Sequence, residues 1–450
     1  MIGRRLSQIR AYLAGEGLGP LLVRALAGSA VVRVAAMVAS FVVGVQLARI
    51  LGVEGYGYYG LALSIITLAN IPAELGISRL VTREVAASSA GGDIGQMSGV
   101  LRWAFRTSGL ISLLVMVALA AAGIVLMQAK PALGGCLLAG APLVLFMTLA
   151  RVSGGALQGV NRIVRGQIPA NLIRPVLLSL FLLLAYMVRV AVLPVAAMAL
   201  NSLAAAAVFV IAFSWQMRHV PRARPSEAIA GKSWIKSSIA LAMTQAVFLL
   251  QSELSILLVG VVASPSAVGL LRIAIASANV SAASNAIVVH VGAPLLARLY
   301  AEADQRRLQK AVTALAWVQL AGVLVVCAPL AAWPGPLIRL VFGGDFAGAA
   351  DALRILAIGQ IVNAAFGPNG TLLNMARHER RVTRAMTFSL IVALVLVPLL
   401  TIAIGIAGAA IAMLASILTW NLILWRDAKR MIGIDTSAMT APRLVMPSMQ

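Results

Sequence analysis

The stretch RAMTFSLIVALVLVPLLTIAI, residues 384–404, is followed after Gly405 by IAGAAIAMLASILTWNLILW, residues 406–425. No side chain from Ala385 to Trp425 is ionisable. A helix needs about 20 apolar residues to cross the hydrocarbon core of a bilayer, so this stretch reads as two consecutive spans. Barrel strands would alternate apolar and polar residues over about ten positions, and these runs do not alternate. Ten more runs of this kind precede them, at about 24–49, 57–78, 106–127, 134–157, 167–187, 190–214, 237–262, 266–296, 311–333 and 350–373. The expected fold is an all-α integral membrane protein with twelve transmembrane helices.

Composition supports that reading. Of 450 residues 61% are hydrophobic and only 11% charged, with mean hydropathy +0.97. An average soluble domain is about 45–50% apolar and about 25% charged, and so much apolar surface must face lipid. A formal charge of +22 raises the question of nucleic acid. Its arginines and lysines, however, lie in short clusters between apolar runs, as topogenic loop charges do, so no nucleic-acid partner is expected. Cys136 and Cys327 both fall inside apolar runs and offer neither a disulfide framework nor a metal site. The first twenty residues carry Arg4, Arg5 and Arg10 without a compact apolar core or cleavage site. No signal peptide is expected there.

Arginine and lysine also set the orientation. One set of loops carries Arg79, Arg83, Arg162, Arg165, Arg218, Lys232, Arg306, Arg307, Arg380, Arg381, Lys429 and others, whereas the opposite set has little beyond Lys130, Arg189 and Arg339. That asymmetry places both termini in the cytoplasm. The longest basic connection, about residues 215–236, divides the chain into halves of six spans, residues 1–225 and 226–450. Gly57-Tyr-Tyr-Gly-Leu-Ala62 and Gly269-Leu-Leu-Arg-Ile-Ala274 open equivalent helices in the two halves. Six spans per half give both halves the same orientation, hence a pseudo-two-fold axis along the membrane normal and a site where the halves meet.

Ionisable residues within spans cost about 2.5–3.5 kcal/mol on insertion scales and tend to face a cavity or a partner. Arg33 shares a helical face with Ser29, Ser40 and Gly44; Glu74 shares one with Thr67, Asn70 and Ser78. Arg272 shares a face with Asn279, Ala283 and His290, Glu253 lies near Gln245 and Ser252, and Arg174 precedes Pro175. Each has a plainer reading: Arg272 snorkelling outward, Glu253 and Arg174 as structural partners, His290 as a packing residue. Arg49, Arg151 and Arg354 lie near span ends and are expected to snorkel to the headgroups. Embedded arginines outnumber embedded acids, so the wall suits an anion, and guanidinium forks suit phosphate oxygens.

The chain resembles the polysaccharide (O-antigen type) lipid flippases of the multidrug/oligosaccharidyl-lipid/polysaccharide exporter superfamily. The resemblance lies in Leu47-Ala-Arg-Ile-Leu-Gly-Val-Glu-Gly-Tyr-Gly-Tyr-Tyr59, Glu74-Leu-Gly-Ile-Ser78, Thr82-Arg-Glu84 and Glu253…Leu257-Leu-Val-Gly260…Gly269. It continues through Phe342-Gly-Gly-Asp-Phe346, Leu353-Arg-Ile-Leu-Ala357, Phe366-Gly-Pro368, Leu373-Asn-Met375 and His378-Glu-Arg-Arg381. Ala376-Arg377 departs from the pattern, where a Thr-Gly or similar pair is common. The resemblance implies two six-helix bundles forming a V around a central cavity, and movement of a polyprenyl-pyrophosphate-linked oligosaccharide from the cytoplasmic to the outer leaflet of a bacterial inner membrane. Arg33, Arg174 and Arg272 are then candidate headgroup contacts, and Glu74 and Glu253 candidate proton or sodium sites. Membrane lipids are expected partners, other polysaccharide-assembly proteins stay open, and no cofactor is implied.

Two alternatives share the fold: a multidrug antiporter, whose cationic substrates need more acid than Glu74 and Glu253 supply, and a peptidoglycan-precursor lipid flippase. A membrane enzyme is disfavoured, since the chain shows no zinc spacing, nucleophile–base constellation or phosphate-cradling loop.

Overall fold

The computed structural model describes residues 18–189, 191–221, 223 and 231–439. The basic residues Arg4, Arg5 and Arg10 near the start, and Arg222 and Arg224 of the long basic connection, lie outside them, as do the side chains of Gln245 and His290. The described residues form helices and no strand. In chain order these are α1 (Leu18–Glu74), α2 (Ile77–Gly91), α3 (Ile94–Ala129), α4 (Pro131–Gly159) and α5 (Ile163–Ile168). A π-helical turn (Pro169–Ile173) leads into α6 (Arg174–Met187), then α7 (Pro194–His219), α8 (Gly231–Val262) and α9 (Pro265–Ala278). After a 3-10 turn come α10 (Ala282–Ala301), α11 (Gln305–Ala332), α12 (Pro334–Val341), a second 3-10 turn, α13 (Ala350–Ala365), α14 (Asn369–Met375) and α15 (Glu379–Met431).

The starts of these helices follow local chemistry. Asp93, Ser264 and Asp304 cap α3, α9 and α11 by accepting from the backbone N–H of Gln96, Ala267 and Arg307. Pro131, Pro194, Pro265 and Pro334 each open a helix, where the missing N–H has no partner to lose. Eight helices among the described residues are long and apolar enough to cross a membrane, nine if the bent pair Gly344–Ala365 and Asn369–Met375 is one span. Large apolar side chains such as Leu114, Val125, Leu184, Val210, Val325 and Ile402 stand exposed on them, as lipid-facing residues must.

Several expected spans are interrupted. At 1.5 Å per residue α1 is about 85 Å of chain and α15 about 80 Å, far beyond one bilayer. Each turns at a glycine: Gly52 (φ 67°, ψ −179°) in α1 and Gly405 (φ 67°, ψ −149°) in α15. Those conformations are essentially reserved to glycine. The expected span 57–78 is broken between Glu74 and Ile77, where Leu75 (φ 42°) and Gly76 (φ 67°) are both left-handed. The run 350–373 bends by 41° at Phe366-Gly367-Pro368, and the run 167–187 contains the π turn, entered at Pro169.

By internal packing the described residues form two compact units, one drawn from positions 1–43, 69–191 and 196–243 and the other from positions 44–68, 192–195 and 244–450. In the first unit Ile77, Leu80, Val81 and Val85 of α2 pack with Met97 and Leu101 of α3 and Val152, Ala156 and Leu157 of α4. In the second, Leu296, Leu308, Val312, Leu372, Leu373, Met386 and Leu424 share a core. A strap after α15 closes that core. Asp435 exchanges backbone bonds with the Gln309 side chain, and its carboxylate accepts from Trp425 Nε1 and from the N–H and hydroxyl of Ser437. Burial alone would raise the Asp435 carboxyl; these donors, with Lys429 beside it, hold it below the usual carboxylate range.

Candidate functional site

Two polar clusters carry three of the five embedded charges singled out in the sequence, and Arg174 faces a cavity beside the second. The first lies within the second unit, where α1 passes α8 and α9. Backbones approach closely there: a Cβ on Gly57 would sit 1.8 Å from the Pro265 carbonyl oxygen, and one on Gly269 2.3 Å from that of Val53. Only glycine permits such an approach, and it brings the next turn of α1 under Arg272. Arg272 Nη1 donates to the Gly60 carbonyl (3.0 Å) and to Ser64 Oγ (3.2 Å), while Ser64 Oγ donates to Glu253 Oε2 (2.6 Å). Ser64 is fully buried. A hydroxyl has one proton and two lone pairs, so Ser64 accepts from the cation and donates to the anion. Glu253 therefore takes Ser64 from α1 as its partner; Ser252 donates instead to its own helix, at Leu249 O.

The second cluster lies within the first unit. Glu74, the last residue of α1, accepts from Ser78 Oγ (2.9 Å) and pairs with Arg151 of α4. One turn earlier on each helix, buried Thr148 donates to Asn70 Oδ1 (2.9 Å). The two helices are thus matched polar residue to polar residue. Here the expectation for Arg151 is corrected: its side chain is 34% exposed and bound to a carboxylate, not extended to a headgroup. The other two arginines assigned to snorkelling also have protein partners. Arg49 donates to the carbonyls of Leu340 and Val341, and Arg354 to that of Ala331.

Arg174 opens α6 immediately after the π turn. Its Nη1 donates to Met147 Sδ (2.9 Å), and it faces a cavity of about 80 Å³ together with Arg151, Asn171, Ala205 and Val208. Two guanidinium groups and an amide therefore converge on one space. Arg33 stands apart: it is exposed on α1 with Val31, Val34 and Val38, whereas Ser29, expected on its face, is buried and donates to Gln167 Oε1 (2.7 Å). Ser64, Arg151 and Asn171 were not anticipated. The signal for Arg151 was its spacing from Thr148, which repeats the spacing of Glu74 from Asn70 to within one residue.

Comparison with known proteins adds a family and a fold. A family model described as "Polysaccharide biosynthesis protein" matches residues 46–351. No curated protein matches by sequence. Among solved structures, the lipid II flippase MurJ in an inward closed conformation superposes with TM-score 0.71 at 14% identity, covering 88% of this chain and 86% of that one. An inward-facing multidrug resistance MATE family transporter of the MOP superfamily superposes with TM-score 0.72 at 13% identity, covering 90% and 98%. A MOP superfamily transporter from Pyrococcus furiosus, described as having a binding pocket of reverse polarity, superposes with TM-score 0.62 at 12% identity, covering 94% and 97%. At these identities the likeness is one of fold.

Proposed function

The chain belongs to the polysaccharide biosynthesis protein family, and from that premise we propose that it moves a polyprenyl-pyrophosphate-linked oligosaccharide from the cytoplasmic to the outer leaflet for surface polysaccharide synthesis. The observation that carries this reading beyond the family is the convergence of Arg151 and Arg174 on one cavity. Guanidinium groups held inside an apolar bundle suit a phosphate-bearing headgroup and repel a cationic drug. The two acids that a drug antiporter would use are both engaged, Glu74 by Arg151 and Glu253 by Ser64.

Twelve spans follow if the glycine turns divide α1 and α15: 18–51, 53–74, α3, α4, 163–187, α7, α8, 265–301, α11, 344–375, 379–403 and 406–431. An even count keeps both termini in the cytoplasm and divides the chain into six-span halves, 1–225 and 226–450. Transport is by alternating access with no chemical step, so the protein is a transporter and not an enzyme. Arg33, Arg174 and Arg272 are the candidate headgroup contacts, and the return step draws either on the membrane potential or, instead, on a proton or sodium ion taken by Glu74 or Glu253. A bacterial inner membrane is the site of action, with membrane lipids and other polysaccharide-assembly proteins as neighbours.

The test is leaflet-to-leaflet movement of a polyprenyl-pyrophosphate oligosaccharide in proteoliposomes, with Arg33→Ala, Arg174→Ala and Arg272→Ala beside the wild type. The expected result is movement by the wild type and a loss of roughly tenfold or more in the variants, the factor that about 1.4 kcal/mol of lost interaction produces. A folded wild type that moves none of several such lipids but exports a cationic drug would establish the antiporter reading. Movement of lipid II alone would establish the peptidoglycan-precursor reading.

A further inference from the structure

The cavity in the first unit has the makings of a specific anion site, and Glu74 has the position to regulate it. Its lining includes Arg151 from α4, Asn171 from the π turn, Arg174 from α6 and Ala205 and Val208 from α7, and none of the described lining residues is acidic. About 80 Å³ holds a group of several heavy atoms, since roughly 10–15 Å³ of such volume admits one water. The π turn matters to this geometry. One extra residue in the turn, bounded by Pro169 and followed by Pro175, rotates Arg174 relative to a regular helix, and single π turns of this kind concentrate at functional sites.

Arg151 reaches the cavity while held from outside it. One of its terminal nitrogens pairs with Glu74, and the residue also lines the cavity. Glu74 itself is not part of the cavity wall. It is mounted at the break where Leu75 and Gly76 are both left-handed before α2 begins, and it accepts from Ser78 in the first turn of α2. Broken helices of this type line substrate sites in transporters.

We propose that this cavity is a pyrophosphate subsite, with Arg151 and Arg174 as its two arms, and that Glu74 is an internal counter-ion restraining its affinity. The proposal rests on the lipid-flippase reading for the identity of the ligand. Two guanidinium forks against a diphosphate make charge-assisted bonds that are hard to break, and a transporter must release what it binds. A carboxylate on Arg151 offsets part of the cavity's positive potential and competes with the ligand for that guanidinium. Arg151 thereby joins Arg174 as a headgroup residue. Glu74 acts on affinity through Arg151, and of the two acids named above this leaves Glu253 as the one for a coupling ion.

The experiment is equilibrium binding of inorganic pyrophosphate to the purified full chain in detergent, with no transport needed. Arg151→Gln and Arg174→Gln should each weaken binding about tenfold or more, and Glu74→Gln should tighten it by about tenfold. The double variant Glu74→Gln/Arg151→Gln removes the ion pair without leaving an uncompensated charge, so it folds where a single variant fails. Its pyrophosphate binding should be as weak as that of Arg174→Gln. Unchanged affinity in the double variant and in Arg174→Gln would overturn the subsite. Weaker binding in Glu74→Gln would overturn the counter-ion role and make Glu74 a brace for Arg151. Phosphatidylglycerol vesicles serve as competitor: failure to displace pyrophosphate is expected, and displacement would overturn the assignment to a diphosphate in favour of a bilayer phosphate. Should the oligosaccharide lipid fail to move in proteoliposomes while these affinities behave as stated, the transport reading falls and the anion subsite stands.

Discussion

At the scale of single residues, the second unit's cluster depends on one hydroxyl. Ser64 is fully buried between a guanidinium and a carboxylate, and both charges lean on it. Ser64→Ala leaves the partly buried Glu253 Oε2 without that donor, and an abandoned acceptor costs about 1 kcal/mol or more when it is charged. The apparent melting midpoint in detergent should fall by several degrees. Ser64→Ala/Glu253→Gln should recover part of the loss, because the amide carries no charge to strand. An unchanged midpoint in Ser64→Ala would show that the hydroxyl contributes nothing to holding the pair. The sequence announced Arg272 and Glu253, because a charge inside an apolar run is conspicuous. It did not announce Ser64, since serine is ordinary within membrane helices and nothing in local spacing links position 64 to position 253. Arg151 was misassigned for a related reason. Closeness to a span end describes where its backbone lies, whereas the partner that decides its direction, Glu74, comes from a different helix.

At the scale of elements, apolar run length revealed where helices lie but not where they break. Twenty apolar residues look alike whether straight or bent, and prolines and glycines are common in membrane helices. Gly405 illustrates what was legible: it was the one residue left between two expected spans, and it is where α15 turns. Leu75-Gly76 was not legible, because leucine seldom adopts positive φ; in the fold Leu75 packs against the core that holds Ile77 and Leu80. The glycine turns allow a clean test. A Cβ at Gly405 would meet nothing within 4 Å, so Gly405→Ala isolates backbone strain from steric overlap. At φ 67°, ψ −149° the cost is of order 1–3 kcal/mol, read as a lowered melting midpoint. Gly57→Ala, where a Cβ would lie 1.8 Å from a carbonyl oxygen, should be more damaging. If Gly405→Ala proved neutral, the turn would be an adaptable bend and not a fixed corner dividing two spans.

At the scale of the whole molecule, charge distribution links topology to energetics. The same arginine excess from which the expected topology was read also places cations within apolar stretches of both units, at Arg33, Arg174 and Arg272. That excess was visible in composition alone; which arginines share a cavity was not, because Arg151 and Arg174 meet only after α4 and α6 fold together. If the cargo is the proposed diphosphate lipid, its headgroup of about two negative charges moves outward across an interior-negative membrane with a gain of about 2.3 kcal/mol per charge per 100 mV. Return of the empty, arginine-lined protein to the inward state is favoured by the same field. The membrane potential should therefore drive the cycle without a tightly coupled ion. In proteoliposomes carrying a potassium diffusion potential, interior-negative polarity should accelerate outward movement of the oligosaccharide lipid, and reversed polarity should slow it. Neutralising one cavity arginine, as in Arg174→Gln, reduces the charge that returns with the empty protein and should reduce the voltage dependence as well as the rate. A rate indifferent to polarity but sensitive to a proton or sodium gradient would transfer the driving force to Glu253, the embedded acid bonded to Ser64 and Arg272's network. A rate indifferent to both would exclude electrical and ionic drive together, leaving consumption of the cargo at the outer leaflet as the source of direction.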